Sequence, residues 1–278
     1  MKSGKIATAV CLFSTILSAF AQEKDPLKTS WSTETALLAT GISAQILGQY
    51  RLKQMATVRS IDLQKSDLPP WDRFAAGWYN PAASTTSDVL VFVVGGAMIY
   101  SDLWDKTQAD ASWKPLLEDG LILGEAFAWS SALNLNVRAF RIHPRPFVYD
   151  TTNGSSASER NAPEAAGSFY SGHASEAFLG AAYFATVYPL RHPEFKHTGW
   201  LWAGAMTAAS GVATLRVVSG KHFPSDVIAG AAVGTALGWG FATLHQRYGK
   251  DSETGWQFNA WPQVGGVAIQ AVKPLAAW

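Results

Sequence analysis

The chain has 278 residues, enough for one large domain or two small ones. Only 15% of them are charged and 48% are hydrophobic, which is apolar for a soluble protein, and 12 are Trp. The formal net charge is +1, and loss of a leader holding Lys2, Lys5 and no acid would take it to −1, a balance that argues against a nucleic-acid partner.

The first stretch reads as an export signal over residues 1–21. Lys2 and Lys5 give a basic start, Ile6 to Leu17 an apolar core, and Ala19-Phe20-Ala21 a small-x-small cleavage site before Gln22. The apolar core is short for a membrane span. The single cysteine, Cys11, lies inside this leader, so the mature chain needs no disulfide. The expected destination is the periplasm or cell envelope, with membrane association.

Ser32 to Met55 reads as the first helix, capped by Ser30 or Ser32 with Glu34 in its first turn. Val58 to Ser87, with Pro69-Pro70-Trp71 and Asn80-Pro81, reads as a long loop holding one short helix. Asp88 to Tyr100 is the most apolar run. Trp113 to Val137 reads as a third helix carrying Glu118, Asp119 and Glu125, acids that would be costly in lipid. Arg138 to Gly167 reads as a long loop whose polar part, from Thr151, is expected to be mobile and to close over a ligand. Three Ala- and Gly-rich helices follow, Ser171–Tyr188, Gly199–Val217 and Pro224–Arg247, long enough to span a bilayer and equally suited to close packing in a soluble bundle. From Trp256 the pattern alternates around Pro262-Gln263-Val264-Gly265-Gly266, as in a β-hairpin. The fold class is therefore all-α, a bundle of about six core helices over residues 22–250, with a 251–278 tail that forms a short C-terminal β-hairpin.

Three stretches carry chemistry. In Thr214–Gly230, His222 stands just before a helix that Pro224 opens, where backbone N–H groups attract anions. Asp226 is one turn on and can fix the imidazole tautomer through Nδ1, leaving the other nitrogen as a nucleophile. Arg216 supplies a planar fork for phosphate oxygens. In Arg138-Ala139-Phe140-Arg141-Ile142-His143-Pro144-Arg145-Pro146, two prolines stiffen the backbone around Arg145. In Gly167–Ser175, Ser171 caps a helix, Gly172 lets a ligand approach the backbone, and His173 projects from the same helix start.

Together these give three arginines, two helix N-termini, two histidines and an aspartate beside the second histidine. Phosphoryl transfer needs charge neutralisation over three equatorial oxygens and an in-line nucleophile and leaving group, and these residues can supply both without a metal. No carboxylate or His/Cys set has metal-ligand spacing, so neither a metal nor another cofactor is expected.

The three stretches resemble the type 2 phosphatidic acid phosphatase and haloperoxidase superfamily, whose motifs run K-x6-R-P, P-S-G-H and S-R-x5-H-x3-D. Here they read Arg138…Arg145-Pro146, Tyr170-Ser171-Gly172-His173 and Leu215-Arg216…His222…Asp226, with Arg, Tyr and Leu replacing the family's Lys, Pro and Ser. The resemblance covers residues 85–247 and implies a helical phosphatase domain with its site at one end. It implies that Arg138, Arg145, Ser171, Gly172 and Arg216 hold phosphate, that His173 is the acid, and that His222 is the nucleophile and Asp226 its partner. The substrate would be a phosphorylated lipid or a small phosphoester. The alternatives are a vanadium haloperoxidase, with vanadate in the same pocket, and a non-catalytic oxyanion-binding envelope protein. Glu125 and Glu176 have no assigned role. His143, His192, His197 and His245 read as surface residues.

Overall fold

A computed structural model describes residues 26–54, 63–109, 112–140, 144–246, 257–263 and 266–272. The expected signal segment, Arg141, His143 and most of the link to the tail lie outside them. Among the described residues seven helices have 13 residues or more: α1 (Trp31–Lys53), α3 (Pro81–Gly95), α4 (Ala97–Ala109), α5 (Lys114–Arg138), α7 (Gly172–Arg191), α8 (Thr198–Val218) and α9 (Pro224–His245). Two single-turn helices, α2 (Pro70–Arg73) and α6 (Ala157–Arg160), lie in the connections. Strands β1 (Gln257–Gln263) and β2 (Gly266–Val272) pair antiparallel, while the two residues between them are outside the described set.

The apolar run over 88–100 is not one helix. Asn80 caps a helix that starts at Pro81, its side chain accepting the Ala83 N–H at 3.0 Å, and the helix breaks at Gly95-Gly96. α3 and α4 then diverge by 55°. The loop expected before Ser87 is correspondingly shorter.

Helix α7 is the axis of the bundle. It packs against α9, α8, α3, α5 and α4, and Ala174, Ala177, Leu179, Ala182 and Tyr183 are fully buried. Its pairing with α9 is the closest because Gly230, Gly234 and Gly238 recur every fourth residue. A Cβ at these positions would collide with the carbonyls of Ser171, Ser175 and Leu179. Small residues on one stripe let two backbones touch. That closeness brings the start of α7, with His173, beside the start of α9, with His222.

The acids of α5 face inward, and Glu118 and Asp119 are met by protein groups. Asp119 accepts from Tyr183 Oη and Arg191 Nε, both at 2.6 Å, and Arg191 also reaches Glu118 at 3.6 Å. Glu125 is fully buried. Burial first, then the charge of Glu34, pushes its carboxyl up to about 8. His245, expected at the surface, is 7% exposed and faces the same two acids. His192 is also partly enclosed, 3.2 Å from Asp105.

The outer faces of α8 and α9 are apolar. Both helices are long and apolar enough to cross a membrane, and only 22% and 28% of their apolar windows is buried in the bundle. Trp200, Ile228, Trp239 and Leu244 stand exposed on them.

Candidate active site

The N-terminus of α9 is built from three places. Pro224 opens the helix, and Asp226 Oδ2 reaches back to accept the Phe223 N–H at 2.8 Å. Asp72 of α2 accepts the Ser225 N–H at 3.0 Å and the Ser225 hydroxyl at 2.6 Å. Asp226 does not close this end alone. Asp72 completes it from 153 residues away, which no local pattern could indicate.

His222 is 2% exposed. Its Nδ1 donates to the Ser168 carbonyl at 3.0 Å, and Asp226 Oδ2 stands 3.6 Å off, beyond hydrogen-bond distance. The same Asp226 oxygen accepts the Ser168 hydroxyl. The expected direct Asp226–Nδ1 contact is therefore replaced by a relay. Asp226 fixes Ser168, and the Ser168 carbonyl fixes the imidazole tautomer, which leaves Nε2 unprotonated in the neutral ring. Burial, opposed by Asp226 and reinforced by Arg145, pushes His222 down to about 3.

Ser171 is fully buried and caps α7, its hydroxyl accepting the Ala174 N–H at 3.4 Å. Its own N–H donates to the Asp226 carbonyl at 3.0 Å, tying the two helix starts together. The Asn134 amide donates to the Tyr170 carbonyl at 2.6 Å and lies under Gly172, where a Cβ would come within 3.1 Å of its oxygen. His173 Nε2 lies 2.9 Å from Asp88 Oδ1. That oxygen also accepts from Arg216 at 2.9 Å. A carboxylate thus bridges an arginine and the second histidine, a position suited to a phosphate oxygen. Burial and the charge of Arg216 push His173 down to about 4, against the pull of Asp88.

The three arginines act on one space. Arg216 is 5% exposed and spends one nitrogen on Ser87 and Asp88, while its Nε is buried with no partner among the described residues. Arg145 Nε is likewise buried and unpartnered. Burial, then the charges of Arg138 and Arg216, push the Arg145 cation well below its ordinary range. Arg138 spends Nε on the Gly167 carbonyl at 3.1 Å. Lys221, between Gly220 and His222, adds a fourth cation: burial, and next Arg145, lowers its pKa. Crowded buried cations with unspent donors form a hole for a multiply charged oxyanion.

The segment expected to be mobile is pinned instead. A capping box at Ser156 and Glu159 closes α6, the Arg145 N–H donates to the Ala165 carbonyl at 2.9 Å, and Tyr79 bonds Glu159 at 3.0 Å. Glu176 does not touch His173. It lines a separate apolar cavity of about 650 Å³ beside Phe92, Gly95 and Phe127. Burial pushes it up to about 7, opposed by Arg216.

All eight residues singled out in the sequence converge at this end of the bundle. Asp88, Ser168, Lys221, Asn134 and Asp72 were missed, since only the tertiary fold brings Asp88, Asn134 and Asp72 here. The family model for the PAP2 superfamily matches residues 119–250, a span that holds every one of those eight. A lipid A 1-phosphatase from Porphyromonas gingivalis is 39% identical over 74 residues, 27% of this chain. The match spans only 15% of that relative's length. No solved structure matches the chain. The PAP2 match leaves out Ser87 and Asp88, so the Asp88 bridge comes from outside the matched region.

Proposed function

We propose that this chain is a PAP2-superfamily phosphatase that hydrolyses a phosphorylated lipid through His222, at the surface of an envelope membrane. The observation that carries the reading is the convergence of a buried His222, its Nδ1 tied to the Ser168 carbonyl, with Arg145 and Arg216, each with an unspent buried donor. The apolar outer faces of α8 and α9 and the similarity to a lipid A 1-phosphatase favour a lipid-linked substrate. The domain would span residues 22–250, exported by the leader at 1–21.

Both histidines are held neutral in the free site, so the proton for the leaving group arrives with the substrate. A phosphate monoester monoanion enters the arginine hole, displaces the Asp88 carboxylate and passes its proton to His173. Its charge offsets the arginines that suppress protonation there. His222 Nε2 attacks phosphorus as the P–O bond to the lipid breaks, and His173 protonates the departing oxygen. Ser171, Arg138, Arg145 and Arg216 hold the equatorial oxygens. His173 then takes a proton from water, whose oxygen attacks the phosphohistidine. Inorganic phosphate takes the proton from His173 and leaves as the monoanion, and both histidines are restored neutral. The cations supply the charge neutralisation, and no cofactor enters this scheme.

The test is rapid acid-free quenching of the enzyme with a ³²P-labelled lipid phosphate. Label should appear on His222, stable to base and labile to acid, and should be absent in His222→Ala. Turnover without protein-bound label in the wild type, and undiminished in His222→Ala, sinks the mechanism.

A further inference from the structure

At the far end of α9, about 33 Å from the phosphate site by helix rise, three ionisable side chains meet in the bundle interior. They are Glu34 of α1, Glu125 of α5 and His245, and one ligand atom from each lies within 4.8 Å of the others. Glu34, Glu125 and His245 are 2%, 0% and 7% exposed. The His245 Nδ1–H donates to the Phe241 carbonyl at 2.7 Å, which in the neutral ring leaves Nε2 with a lone pair. That lone pair points at Glu34 Oε2, 3.1 Å away, and Glu125 Oε2 is 4.0 Å away. Glu34 Oε1 is already used by the Ser30 N–H at 2.8 Å, so Oε2 is the oxygen that remains. Neither oxygen of the fully buried Glu125 meets a donor among the described residues.

Glu125 thus faces Glu34 and His245 with no donor of its own among the described residues, while His245 Nε2 lies within hydrogen-bond distance of Glu34 Oε2. An anionic pair is costly in a buried site unless a cation joins it. One divalent ion balances two carboxylates and a neutral imidazole to zero net charge. We propose that Glu34, Glu125 and His245 bind a divalent transition-metal ion of the zinc class, which staples the first turn of α1 and the middle of α5 to the end of α9. A nitrogen and two carboxylate oxygens suit zinc better than calcium or magnesium, which take oxygen sets of six or more. Tetrahedral bonds of about 2.0–2.2 Å require ligand atoms about 3.3–3.6 Å apart; the His245–Glu34 pair is already at 3.1 Å, and the remaining gaps, up to 4.8 Å, close by about 1 Å with side-chain rotation. The fourth position would hold water. Two backbone contacts already lead into the site: the Lys28 N–H donates to the His245 carbonyl at 2.6 Å, and Leu27 bridges Gln246. The sequence hid this set because its members are 91 and 120 residues apart.

The opposing possibility is a proton in place of the metal, and Glu125→Gln separates the two, since an amide mimics a protonated carboxyl. The full chain is purified, stripped with chelator, dialysed against zinc chloride or magnesium chloride, and assayed for bound metal and thermal midpoint. Zinc, and not magnesium, is expected to remain at one ion per chain through gel filtration and to raise the midpoint by several degrees. Glu125→Gln and Glu34→Gln should each lose the ion and the zinc-dependent rise. A wild-type chain that retains no zinc and keeps its midpoint overturns the site, as does zinc binding that survives both substitutions. Metal content is read without turnover, so this test can fail while the phosphatase reading stands, and the reverse.

Discussion

Asp226 acts on His222 through Ser168, and the consequence is measurable at single residues. Ser168→Ala keeps the carbonyl that holds Nδ1 but removes the hydroxyl that anchors Asp226. A buried hydrogen bond to a charged group contributes about 1.5–3 kcal/mol, so this variant should lose stability of that order in denaturant titration. Asp226→Asn should lower kcat by about 100-fold with little change in KM, because positioning rather than binding is lost. Equal kcat in Asp226→Asn would rule out the relay. Asp88 holds both Arg216 and His173, the groups proposed to meet phosphate. Asp88→Asn is expected to tighten inhibition by orthovanadate by about fivefold, the effect of removing roughly 1 kcal/mol of partly exposed charge competition. Weaker inhibition in that variant would mean the carboxylate helps build the site instead. The histidines add a pH signature. Both are pushed below the ordinary 6.5, to about 3 for His222 and about 4 for His173. These two histidines therefore bind more protons in the unfolded chain between about pH 6.5 and 4, and their share of the stability falls as pH drops through that window, while the raised carboxyls of Glu125 and Glu176 act in the opposite sense. The difference in thermal midpoint between wild type and His222→Asn should shift against the wild type from pH 7 to pH 5, and a difference that does not change with pH would contradict a buried neutral His222.

At the scale of elements, the closeness of α7 and α9 sets the distance between the two histidines. Gly234 is the tightest point of that stripe, directly under the Ser175 carbonyl. Gly234→Leu forces the helices apart and should cost about 1–3 kcal/mol as overpacking, together with most of the activity, since His173 would no longer face His222. A variant with wild-type turnover would mean that the separation is not critical. The placement of the motif residues was legible in the sequence because each is local: a histidine beside a helix start, an aspartate one turn later, a serine cap. The helix end at Val137 to Arg138 was legible for the same reason. The break at Gly95-Gly96 was not, because the apolar run continues unchanged through it and only the approach of α7 at Gly180 makes the bend useful. The 151–167 segment looked mobile from its polar composition. Its anchors, Arg138, Arg145 and Tyr79, lie outside it, so composition alone could not show that it is held.

At the scale of the whole molecule, one end of the bundle is cationic and polar, and the outer faces of α8 and α9 are apolar. Trp200 is 81% exposed at the start of α8, and Trp239 is 54% exposed on α9. Such faces are at home in lipid, with the phosphate site at the headgroup level. The chain should need detergent for monodispersity, and brominated phospholipids should quench its tryptophan emission. A monodisperse protein without detergent and without quenching would place it in solution. The central claim is more demanding than this. Inorganic phosphate release should be followed for wild type and His222→Ala, with a lipid 1-phosphate and a soluble aryl phosphate side by side. The wild type is expected to release phosphate, faster from the lipid, and the variant to release none above background while retaining its thermal transition. Undiminished release by folded His222→Ala, or no release from either substrate by the folded wild type, would contradict a phosphatase working through His222.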